Sequence, residues 1–242
     1  MRYDLFQIHA AWGPRQENAE ACARRLARML NDVSDVHRGF AQMVVHPDWG
    51  RSRPADALPR RPAEIVPFLS PVRYYDEARK RIIVGSYSLD ASAHWAGSRF
   101  LVMAVVAGRH NENARHSLLG NRVSVLFRIL EGGKDEDATA LAAVKPIMLA
   151  LISAWEPESA SAVSTRHWEL LRAPAGTKPF VHGTWAAYFA PGAAEFSLTS
   201  LGVTRRLPDG GLLWCATDEA LDLDNPVHLG AAAAMHAALA RK

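Results

Sequence analysis

Between residues 17 and 36, apolar side chains recur at intervals of three and four: Ala19, Cys22, Ala23, Leu26, Met29, Leu30 and Val33. That spacing is one face of a 3.6-residue period and predicts an amphipathic helix. Glu17 and Glu20 in its first turn and Arg28 near its end suit the helix dipole. Cys22 falls on the apolar stripe and reads as a core residue. Ahead of this helix, residues 3–9 alternate, with Tyr3, Leu5 and Gln7 on one side and Phe6 and Ile8 on the other, as a short strand does. Strands are predicted at 81–89, led by Ile82, Ile83 and Val84, and at 100–106. The latter is almost continuously apolar, the pattern of a strand buried on both faces. Residues 122–130 set Val123, Val125, Phe127 and Ile129 against Arg122, Ser124 and Arg128, a half-solvated strand with Leu126 as the exception. Helical spacing returns over 137–155 through Leu141, Val144, Met148, Leu151, Ile152 and Trp155. Pro146 must kink this helix or mark its first turn.

The last third alternates short strands with turns. Residues 203–207 and 212–216 flank Pro208-Asp209-Gly210-Gly211, a strong turn sequence, and predict a hairpin. Residues 183–190 are also strand-like. Asn225 before Pro226 suits the cap of an alanine-rich helix running to residue 239. Residues 46–62 carry Pro47, Pro54, Pro59 and Pro62, which excludes regular helix or central strand and predicts a long surface connection. No repeat at a fixed period is visible. The expected architecture is α+β: a largely antiparallel sheet with flanking helices, in a single domain over 1–242 with a looser connection at 46–62.

Composition narrows the class. At 242 residues, 49% apolar and 22% charged, the chain can bury a sizeable core and is not of disordered type. No apolar run suits a membrane span, and the N-terminus lacks the pattern of a signal peptide. Two cysteines, Cys22 and Cys215, make no disulfide framework, so the expectation is a cytoplasmic protein. The net charge of +3 conceals an asymmetry: residues 1–130 hold 19 basic and 12 acidic groups, residues 131–242 hold 9 and 13. Opposite patches for different partners are one reading, and two solvated faces the other.

Catalytic constellations are hard to find. His110 and His116 are six apart, which suits neither a helix face nor a zinc-protease motif. GSYSLD at 85–90 lacks the paired glycines of a nucleophile elbow, and no phosphate loop is present. The segment TDEALDLDN, with Asp218, Glu219, Asp222 and Asp224, lacks the glycine of a calcium loop. It reads as an acidic edge for a basic partner or as solvated turns before a helix. No cofactor, metal or catalytic residue is expected. A small hydrolase or transferase would need a non-local site gathering His94, His110 or His182 with a carboxylate, and a nucleic-acid-binding module would need a recognisable motif.

Seven tryptophans stand out. Trp12, Trp49 and Trp95 lie in loop-like contexts (AWGPR, PDWGR, AHWAG), where a large rigid ring anchors an interface or caps a core. Trp155, Trp185 and Trp214 lie on apolar faces and read as core. Taken in order, AAWGPRQENAEACARRLARML, GSYSLDASAHWAG, SAWEPESASAVS, GTWAAYFA and PDGGLLWCATDEALDLDNPVHL resemble the immunity protein 52 family of bacterial polymorphic toxin systems. The resemblance implies a non-enzymatic α+β antitoxin that binds and neutralises a cognate toxin, a nuclease effector of restriction-endonuclease fold delivered by a secretion system. It also implies family-characteristic positions at Trp12, Arg15, Arg25, Trp95, Gly183 and Gly211. The expected partner is the toxin domain, with neither nucleic acid nor membrane bound directly, and the protein is expected as a monomer or small homo-oligomer. Contacts are expected at Trp12, Arg15, Trp49, Trp95, Asp209, Asp218, Glu219, Asp222 and Asp224.

Overall fold

The computed structural model describes residues 3–45, 56–76, 81–95, 98–108, 121–130, 134–164, 184–192, 202–222 and 224–240. In chain order the elements are β1 (Tyr3–Trp12), α1 (Ala19–Val33), α2 (Arg38–Ala41), β2 (Val44–Val45), β3 (Asp56–Ala57), α3 (Pro62–Ile65), β4 (Ser70–Asp76), β5 (Arg81–Trp95), β6 (Ser98–Ala107) and β7 (Asn121–Leu130). They continue with α4 (Lys134–Trp155), β8 (Ser159–Ser164), β9 (Thr184–Phe189), β10 (Val203–Arg206), β11 (Leu212–Cys215) and a final helix, α5 (Pro226–Ala240). The fold is α+β with antiparallel pairing, as the sequence pattern predicts.

Two compact units divide the chain: Ala10–Val125 with Ala150–Pro157, and Met1–His9 with Leu126–Leu149 and Glu158–Lys242. In the first, α1 begins at Ala19 because Asn18 is its cap; the Asn18 Oδ1 accepts the Ala21 N–H at 2.9 Å. Glu17 is thereby left outside the helix and free to make other contacts. Cys22, Ala23, Leu26, Met29, Leu30 and Val33 are buried, and Ala27 joins them. β5 carries β4, β2 and β6 as antiparallel neighbours and runs to Trp95, beyond the predicted 81–89. Its second half holds Ala91, Ser92 and Ala93, whose small side chains give little apolar contrast along the chain.

β6 corrects an expectation. Leu101, Met103, Val105 and Ala107 are buried, but Val102, Ala104 and Val106 are only half-buried. An antiparallel strand needs only one covered face, and here the second face carries apolar residues as well. The proline-punctuated connection is anchored where it is described. β3 pairs with β2, Leu58 is buried and donates its N–H to the Met43 carbonyl at 2.8 Å, and Pro62 opens α3. Arg60 donates to the Leu30 carbonyl at 2.8 Å and to the Phe40 carbonyl, satisfying an acceptor near the end of α1.

In the second unit the strand order is β8-β9-β11-β10. Thr184 through Tyr188 of β9 are all buried, with α5 packed against this strand. The predicted hairpin forms between β10 and β11, with Arg206 opposite Leu212 and Gly210 at φ +86°. A positive φ at that point is the left-handed position of a three-residue hairpin loop, which glycine occupies without steric penalty. α5 starts as predicted: the Asn225 Oδ1 accepts the Val227 N–H at 2.9 Å and Pro226 takes the first turn. Pro146 lies inside α4 rather than in its first turn. Lacking an N–H, it leaves the Ala142 carbonyl without its helical donor.

Candidate functional site

From Leu207 to Asn225 the sequence holds five carboxylates and no lysine or arginine. Asp209, Asp218, Glu219, Asp222 and Asp224 are all exposed. The backbone that presents them is held by local hydrogen bonds. Asp209 Oδ1 accepts the Gly211 N–H at 2.8 Å, and Oδ2 accepts the Tyr188 hydroxyl at 2.6 Å. Burial, helped by the Asp209 carboxylate, pushes the Tyr188 phenol above its ordinary value. Gly211 is required at this contact, since a Cβ there would lie 2.5 Å from the Tyr188 ring. Thr217 Oγ1 accepts the Glu219 N–H at 3.2 Å, and Asp222 Oδ1 accepts the Asp224 N–H at 2.9 Å. His228, buried at the start of α5, accepts the Asp222 N–H on Nδ1 at 3.2 Å.

Asp218 has a cationic partner in Lys145 of α4. The hydrogen bond and charge of Lys145 hold the Asp218 carboxyl below its usual range, with a smaller contribution from Arg205. Both side chains are partly or largely solvated, so the pair adds little to stability. It does determine which charge stands beside the acidic run.

Trp12 and Arg15 belong to a different cluster, within the first unit. Trp12 is 5% exposed and stacks on Trp155, centroids 5.1 Å apart, while the Arg15 guanidinium lies 5.0 Å from the Trp12 ring centre. Arg15 Nη2 donates to the Trp155 carbonyl and Arg25 Nη1 to the Ala154 carbonyl, each at 2.8 Å. These carbonyls belong to the last turn of α4, whose negative dipole end favours cations. Glu17, displaced from α1 by its cap, accepts from Arg25 Nε at 2.5 Å and lies 3.3 Å from Arg15 Nε. Glu156 approaches both arginines from solvent, at 3.2 Å and 3.8 Å. Burial lowers the Arg15 pKa despite these two carboxylates. Trp12 is thus an interior ring, and Arg15 a clamp on the end of α4.

Trp49, His110, His116, His182 and Gly183 lie outside the described residues, as do the side chains of His94 and Trp95. Trp155, Trp185 and Trp214 are core residues, at 1% exposure or less. Cys22 and Cys215 are free and buried. Among the described residues no group of three or more His, Cys, Asp or Glu is arranged to hold a metal ion, and no helix is long and apolar enough to cross a membrane. Sequence reasoning missed the partners Lys145, Tyr188, Glu17 and Glu156. Of these, only the glycine pair opposite Tyr188 left a local trace.

No curated protein matches the chain. Among solved structures, a Pseudomonas aeruginosa T6SS protein is similar at 9% identity and a TM-score of 0.51, over 98% of this chain and 73% of that one. At that identity the likeness concerns the fold alone. Another is the toxic C-terminal tip of CdiA from Pseudomonas aeruginosa in complex with immune protein, at 11% identity and a TM-score of 0.31, over 67% of this chain and 86% of that one. The profile of immunity protein 52 matches residues 116–242, which include the acidic run and its hairpin. That match spans more than half of the sequence, and the chain belongs to the immunity protein 52 family.

Proposed function

We propose that this protein is a cytoplasmic antitoxin that binds a cognate bacterial toxin domain and neutralises it by occupancy, with no turnover of a substrate. The observation that carries the reading is family membership over 116–242, in the half of the chain where acidic groups outnumber basic ones. The toxin is a nuclease effector of restriction-endonuclease fold. An enzyme that grips a polyanion presents a basic cleft, and the exposed carboxylates at Asp209, Asp218, Glu219, Asp222 and Asp224 complement such a surface. Trp49 and Trp95 are the aromatic candidates for further contacts with the toxin. Trp12 and Arg15 contribute from inside their cluster, by fixing α1 against the end of α4. Steric or electrostatic blockade requires neither a cofactor nor direct contact with nucleic acid.

Co-expression tests this reading. Cells producing the C-terminal domain of the toxin encoded beside this gene are expected to survive when the chain is present and to die without it. Death in both cases, with the chain demonstrably soluble and folded, sinks the proposal.

A further inference from the structure

A cavity of about 250 Å³ opens beside the acidic run, bounded by α4, β9, β11 and the segment 217–221. Its floor is apolar: Val144, Trp185 and Cys215 line it and are buried. Its rim is charged, with Asp218, Glu219 and the Lys145 ammonium at the mouth. Ala142 also lines it, and this is the residue whose carbonyl Pro146 cannot serve. Apart from Lys145, the charged groups lining it are carboxylates, while Trp185 and Cys215 bring an indole N–H and a thiol to the apolar part.

Size and charge together select the occupant. Pockets for drug-sized ligands run from roughly 300 to 1,000 Å³, so this one suits a single large side chain. Two carboxylates at the mouth repel a phosphate or any other anion. An arginine side chain lying across the mouth meets both requirements: its methylene stem covers the apolar floor while its planar head stays at the rim, forked towards the carboxylates. We infer that this cavity is the seat of an arginine side chain from the toxin domain, and that Lys145 occupies Asp218 as an internal stand-in until the toxin arrives. The inference rests on the antitoxin reading and adds where and by what chemistry the toxin is held.

The competing role of Lys145 gives the idea an unusual signature. The loss of a lysine that merely braces the surface would act on a basic toxin through long-range charge alone, an effect that salt screens. A stand-in, if lost, frees Asp218 for the incoming guanidinium, and binding tightens. The experiment titrates the full-length chain with the catalytically inactivated C-terminal domain of the adjacent-gene toxin, by calorimetry. Asp218→Lys and the cavity-filling Ala220→Trp, both at exposed positions, are expected to weaken binding about tenfold or more. At a salt concentration that screens long-range charge, Lys145→Met is expected still to tighten it by roughly threefold. Val227→Ser, at an exposed residue outside the cavity, should leave it unchanged. Matching thermal unfolding curves establish that each variant folds. Wild-type affinity in Asp218→Lys and Ala220→Trp overturns the seat but leaves toxin binding standing. Unchanged or weaker binding by Lys145→Met overturns the stand-in role and with it the inference as stated. A wild-type chain that does not bind the toxin domain overturns both the inference and the reading beneath it.

Discussion

Cys22 shows what one residue's surroundings decide. It sits on the apolar stripe of α1 at 0% exposure, and burial, with a further contribution from the Glu17 charge, pushes its thiol from the usual 9.0 up to about 12. A thiolate is the reactive form, so the native thiol is inert, in keeping with the core role read from its position. Its pH effect has a definite sign. Between about pH 9 and 12 the folded chain keeps a proton that the unfolded chain releases, so stability falls as pH rises through that window. Urea midpoints measured from pH 8 to 12 should decline less steeply in Cys22→Ala than in wild type; parallel declines would show that the thiol is not held protonated. Cys215 is raised by burial as well. Neither cysteine is therefore expected to be alkylated by iodoacetamide at neutral pH until the chain unfolds.

At the scale of elements, the end of α4 combines a local strain with a long-range clamp. Glu156 has φ +48° and donates its N–H to the Ile152 carbonyl at 2.9 Å, the left-handed geometry that commonly closes a helix. A residue with a side chain is held there at a penalty of about 1–2 kcal/mol. The side chain's return is its ion pairs with Arg15 and Arg25, and at 68% exposure these are weak. Glu156→Gly should therefore raise stability by roughly 0.5–1 kcal/mol, seen as a higher midpoint in thermal or urea unfolding. A lower midpoint would show that the pairs outweigh the strain. The same region marks the boundary of what sequence reading reaches. The α1 stripe, the Pro208–Gly211 turn and the Asn225 cap were legible because each depends on residues a few positions apart. The second half of β5 was not, because Ala91, Ser92 and Ala93 carry little contrast. The half-exposed face of β6 was misread because Val102 and Val106 are as apolar as their buried neighbours.

Across the whole molecule, contacts distant in sequence are what the pattern of residues could not reveal. Trp12 meets Trp155, Arg25 meets Ala154, and Lys145 meets Asp218 across 73 positions; no periodicity encodes such pairs. The acidic run itself was legible as composition, but not that Lys145 tempers one of its members. The charge asymmetry between residues 1–130 and 131–242 makes a prediction about rates. Electrostatic complementarity acts mainly on encounter, and at physiological ionic strength charges are screened beyond about 8 Å. If the acidic half steers the toxin, the association rate should fall as salt rises. The double reversal Asp222→Lys with Asp224→Lys should slow association several-fold at low salt, while dissociation changes less. On the same condition, reversing Arg24 and Arg61, exposed groups of the basic half, should leave the rate unchanged or raise it, because a toxin steered by carboxylates approaches with a basic face. Stopped-flow measurement at two salt concentrations separates these outcomes. Slower association on reversing the arginines, with none on reversing the aspartates, would move the binding face to the other half of the chain.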